Sequence, residues 1–441
     1  MSVFIGSIPN TQEDDLKLAK GILRGKIETT NSIQDLTSKL DSMLDYDGIN
    51  TPHNSNNFLF NRGRDSLSFF LSLLELEKDD EIVTQAFTCV AVVAPILWNY
   101  CKPIYVDIDP NSFNMDLNLL KEKITNKTRA VIVQHTFGNM VNVSKVREII
   151  NEINNQRTQE RKIYIIEDCA HIFTPKLLRK DLDENNSKNR EQIGKYSDAY
   201  FFSFSQDKAI SCTQGGMMKI INPGMSELAK EKYKNIPKPS KKESLYNVRY
   251  IKLWSVIKKY YYTKLIPFSN ITFGRVLIII YRTLGLIKQQ ASINSTDPTQ
   301  IKKMSNIQAS LLLNQLDKIE EINNHREKIV DIYNKNLKEE FIFNSGNKIL
   351  LRYPILVSNR NEIKKRLLKE EIITGNWYSF PVHPLNVEED LKKVNYKNNS
   401  CIVAIKAGQH VLNLPTNVEV SEKEAIRIVE IVNNFAIPFN I

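Results

Sequence analysis

The feature that most constrains this chain is a regular alternation of short β-rich runs with amphipathic helical stretches between residues 80 and 221. The helical stretches, such as VSKVREIINEINNQ (143–156), carry apolar residues at helical spacing. This alternation predicts an α/β domain with a largely parallel sheet, and the nearly continuous apolar character of several strands indicates cover on both faces. The predicted strands are EIVTQ (81–85), KPIYVDID (102–109), RAVIVQH (129–135), KIYIIED (162–168), AYFFSF (199–204) and GMMKII (216–221).

The chain is also long enough to require more than one domain. Its 441 residues exceed one compact core of ordinary size. The composition becomes basic and aromatic after Gly224, and a long helical pattern then begins near Met304. We therefore predict four segments, which are an N-terminal segment (1–57), a large α/β domain (58–224), a basic aromatic insertion (225–300), and a C-terminal helix with a smaller α+β domain (301–441).

Composition and charge exclude several classes of protein. The five cysteines are scattered and include no C-x-x-C pair, which argues against a disulfide framework and a zinc site and fits a reducing cytoplasm. The N-terminus has no basic region followed by an apolar core, so we expect no secretory signal. The formal net charge is +10, but residues 225–290 hold 14 Lys and Arg against three Glu, so the remainder is close to neutral. Because the positive charge is confined to one segment, the sequence does not predict a nucleic-acid enzyme.

Polar residues follow several predicted strands at the point where each strand ends. In open sheets of this kind ligands bind beyond the carboxyl ends of the strands. This rule directs attention to Gln134 and His135, to Asp168, and to the stretch from Ser203 to Lys208. A lysine and a carboxylate that meet there suit pyridoxal phosphate, because the amine condenses with the aldehyde while the carboxylate keeps the pyridine nitrogen protonated. Taken alone, however, a lysine after a strand is more often a solvated surface residue.

Read together, the order and spacing of several segments resemble the DegT-type (DegT/DnrJ/StrS) sugar aminotransferases. These are pyridoxal-phosphate enzymes of the aspartate-aminotransferase fold (fold type I) that act on nucleotide-linked keto sugars. The resemblance implies a large domain with a mostly parallel central sheet flanked by helices, and a smaller C-terminal α+β domain. It covers most of residues 57–440 through the stretches GRDSLSFFLSLLEL, DDEIVTQAFTCVAVVAPI, KPIYVDIDPNSFNMD, QHTFG, EDCAH, SDAYFFSFSQDKAISCTQGGMM, KKMSNIQASLLLNQLDKIEE, GNWYSFPVHPL and HVLNLPTNVEVSEKE.

The resemblance implies roles for three residues in the chemistry. Lys208 carries the cofactor as a Schiff base and moves protons between the substrate's α carbon and the cofactor. Asp168 pairs with the pyridinium nitrogen. His171, at a position that the family fills with Gln or His, lies near the ring or its phenolic oxygen, or else it is a core residue with satisfied hydrogen bonds.

The resemblance also implies where the cofactor's phosphate and ring lie. Ser203 binds the phosphate, and Gly63 and Arg64 stand where backbone amides at a helix start receive it. Arg64 replaces the usual Thr, and its guanidinium can pair with the phosphate. Cys89 stands where many relatives place an aromatic ring over the cofactor, so stacking is weaker or comes from Phe87.

The substrate side of the predicted site is less closely specified. His383, in FPVHPL, lies where family members often place a histidine near the sugar or nucleotide, and it fits a loop cap between two prolines equally well. Trp377 and Tyr378 are candidates for the pocket wall or for simple packing. Other departures from the family's pattern affect the substrate pocket more than the chemistry, namely Ala209, Gln214, Ile301 and Lys303.

The insertion at 225–300 is longer and more basic than the corresponding connection in typical relatives. Its stretch VLIIIYRTLGLI is too short to span a bilayer, and Arg282 interrupts it. Three interpretations stay open, which are a helical cap with a solvated lysine face, peripheral contact with an anionic membrane surface, and binding of a polyanion or protein partner.

These observations together predict a cytoplasmic aminotransferase that depends on pyridoxal phosphate. It is expected to move an amino group from an amino acid, glutamate in the first instance, to a nucleotide-linked keto-deoxysugar for surface polysaccharide such as lipopolysaccharide. The resemblance also implies a homodimer. Two alternatives are elimination or other carbanion chemistry on a sugar, and a non-catalytic regulatory relative. Retention of Lys208 and Asp168 favours catalysis.

Overall fold

A seven-stranded sheet forms the centre of the large domain in the computed structural model, which describes residues 10–44, 56–175, 192–265, 272–287 and 301–441. The strands of the described residues are β1 (Asn57–Phe60), β2 (Glu81–Gln85), β3 (Thr88–Cys89), β4 (Lys102–Val106), β5 (Thr128–Gln134), β6 (Tyr164–Asp168), β7 (Ala199–Ser203), β8 (Gly216–Ile220), β9 (Arg352–Leu356), β10 (Val382–His383) and β11 (Val411–Pro415).

The sheet has the order β1-β8-β7-β6-β5-β2-β4. The five strands from β4 to β7 in this order are parallel, whereas β8 runs antiparallel to both β7 and β1. All six strands predicted from the sequence are present, with bounds that differ by at most three residues. The predicted α/β fold class with a mostly parallel sheet is therefore confirmed.

Helices cover both faces of the sheet, as the continuous apolar strands require. The helices of the described residues are α1 (Glu13–Leu23), α2 (Ser32–Leu44), α3 (Gly63–Ser72), α4 (Val90–Trp98), α5 (Leu117–Lys123), α6 (Val143–Asn154), α7 (Pro223–Lys234), α8 (Lys241–Tyr260), α9 (Phe273–Thr283), α10 (Asn306–Leu316), α11 (Ile319–Asn336), α12 (Arg360–Lys369), α13 (Glu388–Lys393), α14 (Ile402–His410) and α15 (Glu422–Phe435). One core lies between the sheet and α3, α4 and α7, and another lies under α5 and α6.

The long helical pattern near the start of the C-terminal segment forms two helices, α10 and α11. The break falls at Lys318, whose backbone (φ −108°, ψ 6°) leaves the helical region. The Lys318 ammonium pairs with Asp14 and Asp15 of α1, at 2.6 and 3.1 Å. The pattern alone did not reveal this break, because apolar residues continue at helical spacing on both sides of it.

The C-terminal part forms a smaller α+β unit around the antiparallel pair of β9 and β11. Its apolar core includes residues of α11, α14 and α15 and continues into the large domain through Phe87, Tyr105 and Phe137. The short strand β10 pairs in parallel with β3 of the large domain. These contacts fix the C-terminal unit next to the carboxyl ends of the central strands.

The insertion contributes α7, α8 and α9. A capping box of Ser240 and Glu243 begins α8, which packs against α1, α9 and α10. Its buried face includes Asn247, Tyr250 and Trp254. This packing agrees with the helical-cap interpretation. No helix among the described residues is long and apolar enough to cross a membrane.

Candidate active site

A cavity of about 1300 Å³ opens beyond the carboxyl ends of β6 and β7. It exceeds the roughly 300–1,000 Å³ of a typical small-ligand pocket. Seven of the eight predicted site residues line it, namely Gly63, Arg64, Cys89, Asp168, Ser203, Lys208 and His383. The fold therefore brings together residues that lie as much as 320 positions apart in the sequence.

The start of α3 lies directly against the end of β7. A Cβ built on Gly63 would stand 2.8 Å from both the Cβ and the Oγ of Ser203, so only glycine allows this approach. Ser203 is paired in register with Gly216, where a Cβ would stand 2.5 Å from the carbonyl oxygen of Arg62. The first backbone amides of a helix have no intrahelical acceptor, and they attract anions. The start of α3 at Gly63 and the Ser203 hydroxyl together form a cradle that fits a phosphate group.

A carboxylate and an amine face the same cavity next to this cradle. Asp168 ends β6, is only 4% exposed, and accepts a hydrogen bond from the Ala170 amide at 2.9 Å. Burial raises the pKa of Asp168, while the positive charge of Lys208 acts in the opposite direction. Lys208 follows β7, and its Nζ lies 4.8 Å from the centre of the Trp377 ring. A buried carboxylate gains from a cationic partner, which a protonated pyridine nitrogen supplies.

These residues fit pyridoxal phosphate on three counts. The cradle formed by Gly63 and Ser203 matches the phosphate, Asp168 matches the ring nitrogen, and Lys208 matches the aldehyde. The combination of an anion cradle with a buried carboxylate and an amine is the donor set that this cofactor requires. The predicted cofactor is thus supported by side-chain placement as well as by the sequence.

His171 lies behind the cavity wall and does not line the cavity. Its Nδ1 accepts the Phe137 amide at 3.0 Å, and its Nε2 lies 3.0 Å from the Tyr378 hydroxyl. Burial holds the pKa of His171 well below its ordinary value, so the ring is neutral and its proton is on Nε2. His171 therefore has the satisfied hydrogen bonds of the core interpretation. Its hydrogen-bond partner Tyr378 lines the cavity.

An arginine that the sequence analysis missed supports the aromatic wall. The guanidinium carbon of Arg352 lies 3.4 Å from the ring centre of Trp377, and its Nη2 lies 3.8 Å from Asp207, the neighbour of Lys208. Burial lowers the pKa of Arg352 to about 10. Within the described residues its Nη2 has no hydrogen-bond partner. The signal was a charged residue inside the apolar stretch ILLRYPILV, since arginine is almost never fully buried unless it is paired.

Cys89 occupies the N-cap of α4, where its sulfur accepts the Ala91 amide at 3.4 Å. Burial raises the pKa of this thiol, so it stays protonated. Phe87 is fully buried and packs against Phe113 and Phe137, with ring centres 5.6 and 6.1 Å away. Of the two, only Cys89 lines the cavity.

His383 caps its loop and lies at the cavity, and its contact with the sugar or nucleotide stays a prediction. Its Nδ1 accepts the Ser379 amide at 3.4 Å, which caps the loop, and the residue also lines the cavity. It lies opposite Cys89 in the pairing of β10 with β3. Burial, assisted by the charge of Arg352, lowers the pKa of His383 to about 4.

A buried group of three potential metal ligands lies beside the site, formed by His135, Glu167 and Cys169. His135 Nδ1 accepts the Val141 amide at 3.1 Å, so the proton on Nε2 is directed to Glu167 at 2.9 Å. Because these bonds use the ligand atoms of His135 and Glu167, the group acts as a structural network. It fixes the strand end that carries Asp168.

The insertion at 225–300, which the sequence did not connect with the site, also lines this cavity. Residues of α8 and of the turn after α9 form one side of the opening, namely Lys242, Glu243, Tyr246, Arg249, Lys252, Leu253, Leu284, Gly285 and Leu286.

The fold and this site define a pyridoxal-phosphate enzyme of fold type I. The chain belongs to the DegT/DnrJ/EryC1/StrS aminotransferase family, whose model matches residues 53–247 and 276–433. It is 23% identical to GDP-perosamine synthase of Escherichia coli O157:H7 over 382 residues, which cover 85% of this chain and 84% of that protein.

Solved structures agree with this assignment at the level of the fold. PseC of Helicobacter pylori, an aminotransferase involved in the biosynthesis of pseudoaminic acid, superposes with a TM-score of 0.64 at 17% identity, covering 98% of each chain. NtdA of Bacillus subtilis, solved with bound cofactor PMP, gives a TM-score of 0.64 at 19% identity and covers 98% of this chain and 86% of that chain.

Proposed function

We propose that this protein transfers an amino group from glutamate to the keto carbon of a nucleotide-linked deoxysugar, in a pathway that builds surface polysaccharide. The observation that carries this proposal is the convergence of Lys208 and Asp168 on one cavity beside a helix-start cradle. GDP-perosamine synthase and a UDP-linked glucuronate aminotransferase of Pseudomonas aeruginosa, at 23% identity each, support the substrate class.

Each residue of the site has a distinct task in this transfer. When bound, pyridoxal phosphate supplies the aldehyde that takes up the amino group and the ring that accepts electrons. Lys208 Nζ would move the proton between the α carbon of the amino donor and the aldehyde carbon of the cofactor, since a neutral lysine amine is a competent base. Asp168 would pair with the ring nitrogen and so orient the ring. Ser203 and the start of α3 anchor the phosphate.

The first test is the visible spectrum of the purified protein with pyridoxal phosphate, followed by borohydride reduction and peptide mass mapping. We expect a yellow absorbance that glutamate bleaches, and a cofactor-modified peptide that contains Lys208. Lys208→Ala is expected to lose the modification, whereas Lys195→Ala, at a lysine that does not line the cavity, is expected to retain it. Modification of another lysine, or none, would refute the proposed role of Lys208.

Turnover separates the proposal from its two alternatives. Incubation with glutamate and keto-sugar nucleotides should yield an amino sugar with one equivalent of 2-oxoglutarate. A deoxygenated sugar without transferred nitrogen would instead indicate elimination. Cofactor binding without any response to amino donors or sugars would favour a non-catalytic regulatory relative.

Assembly and location are part of the same proposal. We propose a cytoplasmic homodimer, as the resemblance implies, and sedimentation equilibrium tests the dimer. We also propose peripheral contact with anionic membranes through residues 225–300. The exposed side chains of Ile279 and Ile280 on α9 support it, because an apolar helix face beside arginines suits a membrane interface. Absence of co-sedimentation with anionic vesicles would exclude this contact.

A further inference from the structure

The candidate active-site cavity extends well beyond the place of the cofactor. Its lining includes the predicted cofactor-binding residues, among them the buried Asp168, and the exposed Lys242, Arg249 and Lys252 of α8. The volume of about 1300 Å³ leaves room for a second, larger ligand next to the cofactor. The wall contributed by α8 therefore determines what that ligand meets.

The residues of α8 that line the cavity share one face of the helix. Lys242, Tyr246, Arg249 and Leu253 follow each other at spacings of four, three and four residues, which places them in one row. Glu243 and Lys252, which also line the cavity, lie at the two edges of this row. With a rise of 1.5 Å per residue, the row is roughly 16 Å long. The opposite face of α8 is buried against α1 and α10, so the helix can present only this row to the cavity.

Hydrogen bonds fix α8 to the loop that carries Lys208. The Tyr250 hydroxyl donates to the side-chain oxygen of Gln206, two residues before Lys208. The Thr213 hydroxyl, on the far side of Lys208 in the sequence, donates to Asn247 at 2.6 Å. Because both bonds are buried, they hold α8 against the loop that carries Lys208.

The row carries positive charge that nothing in the described structure neutralises. Lys242, Arg249 and Lys252 are exposed, and among the described residues none of them forms an ion pair, whereas Lys258 and Lys302 do. The carboxylate of Glu243 in the same wall is already paired with Lys302. Three free cations in the same cavity as an amine select a ligand with several negative charges.

The family model covers only the first part of this row, Lys242 and Tyr246. The family match stops at residue 247 and resumes at residue 276, so Arg249, Lys252 and Leu253 lie in a stretch that the family model does not cover. We propose that the α8 wall binds the diphosphate of the nucleotide-linked substrate, with Arg249 and Lys252 as the principal contacts. The inference rests on the proposed function, because that function supplies a substrate with a diphosphate. Leu284 and Leu286 then offer apolar contact to the nucleoside.

Direct binding of nucleoside diphosphates tests the inference without turnover. The protein loaded with pyridoxal phosphate is titrated calorimetrically with UDP, GDP and dTDP, each at low and high salt. We expect at least one of the three diphosphates to bind. The double variant Arg249→Ala/Lys252→Ala should weaken that binding at least tenfold and reduce its salt dependence, because two charge-assisted contacts are lost. The matched control is Lys241→Ala/Lys259→Ala, which removes two exposed lysines of α8 that do not line the cavity.

The outcomes separate this inference from its alternatives. The inference is overturned if Arg249→Ala/Lys252→Ala binds the diphosphate as tightly as the control variant does. It is also overturned if the unmodified protein binds none of the three diphosphates. Loss of co-sedimentation with vesicles containing phosphatidylglycerol, with diphosphate binding unchanged, also overturns it and makes the row a lipid contact. Retained cofactor absorbance shows that the variant is folded. Diphosphate binding without bleaching by glutamate would refute the proposed amino transfer and leave this inference standing.

Discussion

Replacing Gly63 with alanine tests whether the start of α3 and the end of β7 form a phosphate cradle. The added Cβ would stand 2.8 Å from the Cβ and Oγ of Ser203, whereas ordinary contact begins at 3.4 Å. The helix start must therefore move away by about 0.6 Å. Overpacking of this kind costs about 1–3 kcal/mol of unfolding free energy.

The same displacement weakens cofactor binding. It lengthens an amide-to-phosphate hydrogen bond from about 2.9 Å to about 3.5 Å, where such a bond is largely lost. Losing one hydrogen bond to a charged group costs about 1.5–3 kcal/mol. We therefore expect the Kd for pyridoxal phosphate to rise about 10- to 150-fold in Gly63→Ala.

The assay combines absorbance titration of the apoprotein with urea unfolding. Gly346→Ala is the matched control, because its Cβ would meet no atom within 4 Å. Gly63→Ala/Ser203→Gly removes both crowded atoms, so it should regain stability while cofactor affinity stays low for lack of the hydroxyl. If Gly63→Ala matches Gly346→Ala in both stability and affinity, the close approach does not form the cradle.

Two buried groups give further predictions. Burial lowers the pKa of His383 to about 4, while the unfolded residue titrates near 6.5. Between these values only the unfolded chain binds the proton, so the unfolding free energy should fall by up to about 3 kcal/mol as pH drops from about 6.5 to about 4. His383→Gln should flatten this part of a urea-unfolding series against pH, and an unchanged slope would contradict the assignment. Glu167→Gln removes the carboxylate that accepts the Gly194 amide at 2.8 Å, and we expect a loss of about 1–3 kcal/mol. The exposed Glu148→Gln is its control, and equal stability of the two variants would refute a structural role for Glu167.

The sequence predicted those site residues whose position follows from a strand end or a helix start. Asp168 and Ser203 are the last residues of β6 and β7, and parallel strands bring such positions to one edge of the sheet. Gly63 begins α3. Their environment could be anticipated because it depends on local structure and on strand order.

Residues whose role depends on distant packing could not be predicted in the same way. Arg352 stacks on Trp377 only because β9 and the loop before β10 meet beside Lys208. His171 lies behind Tyr378, where its hydrogen bonds to Phe137 and Tyr378 enclose it, and its predicted contact with the cofactor stays a prediction. Neither arrangement has a signal in residue spacing.

The sequence by itself determined the α/β class and the strands, because apolar periodicity is a local property of the chain. The family and the cofactor chemistry followed from the resemblance that the order and spacing of its motifs carry. Only the tertiary structure decided that α8 of the basic insertion stands at the opening of the cavity. That position depends on the packing of α8 against α1 and α10 and on its bonds to Gln206 and Thr213, contacts between residues far apart in sequence. The positive charge of the insertion was visible in the sequence, but the sequence did not show that some of its lysines and arginines line the cavity.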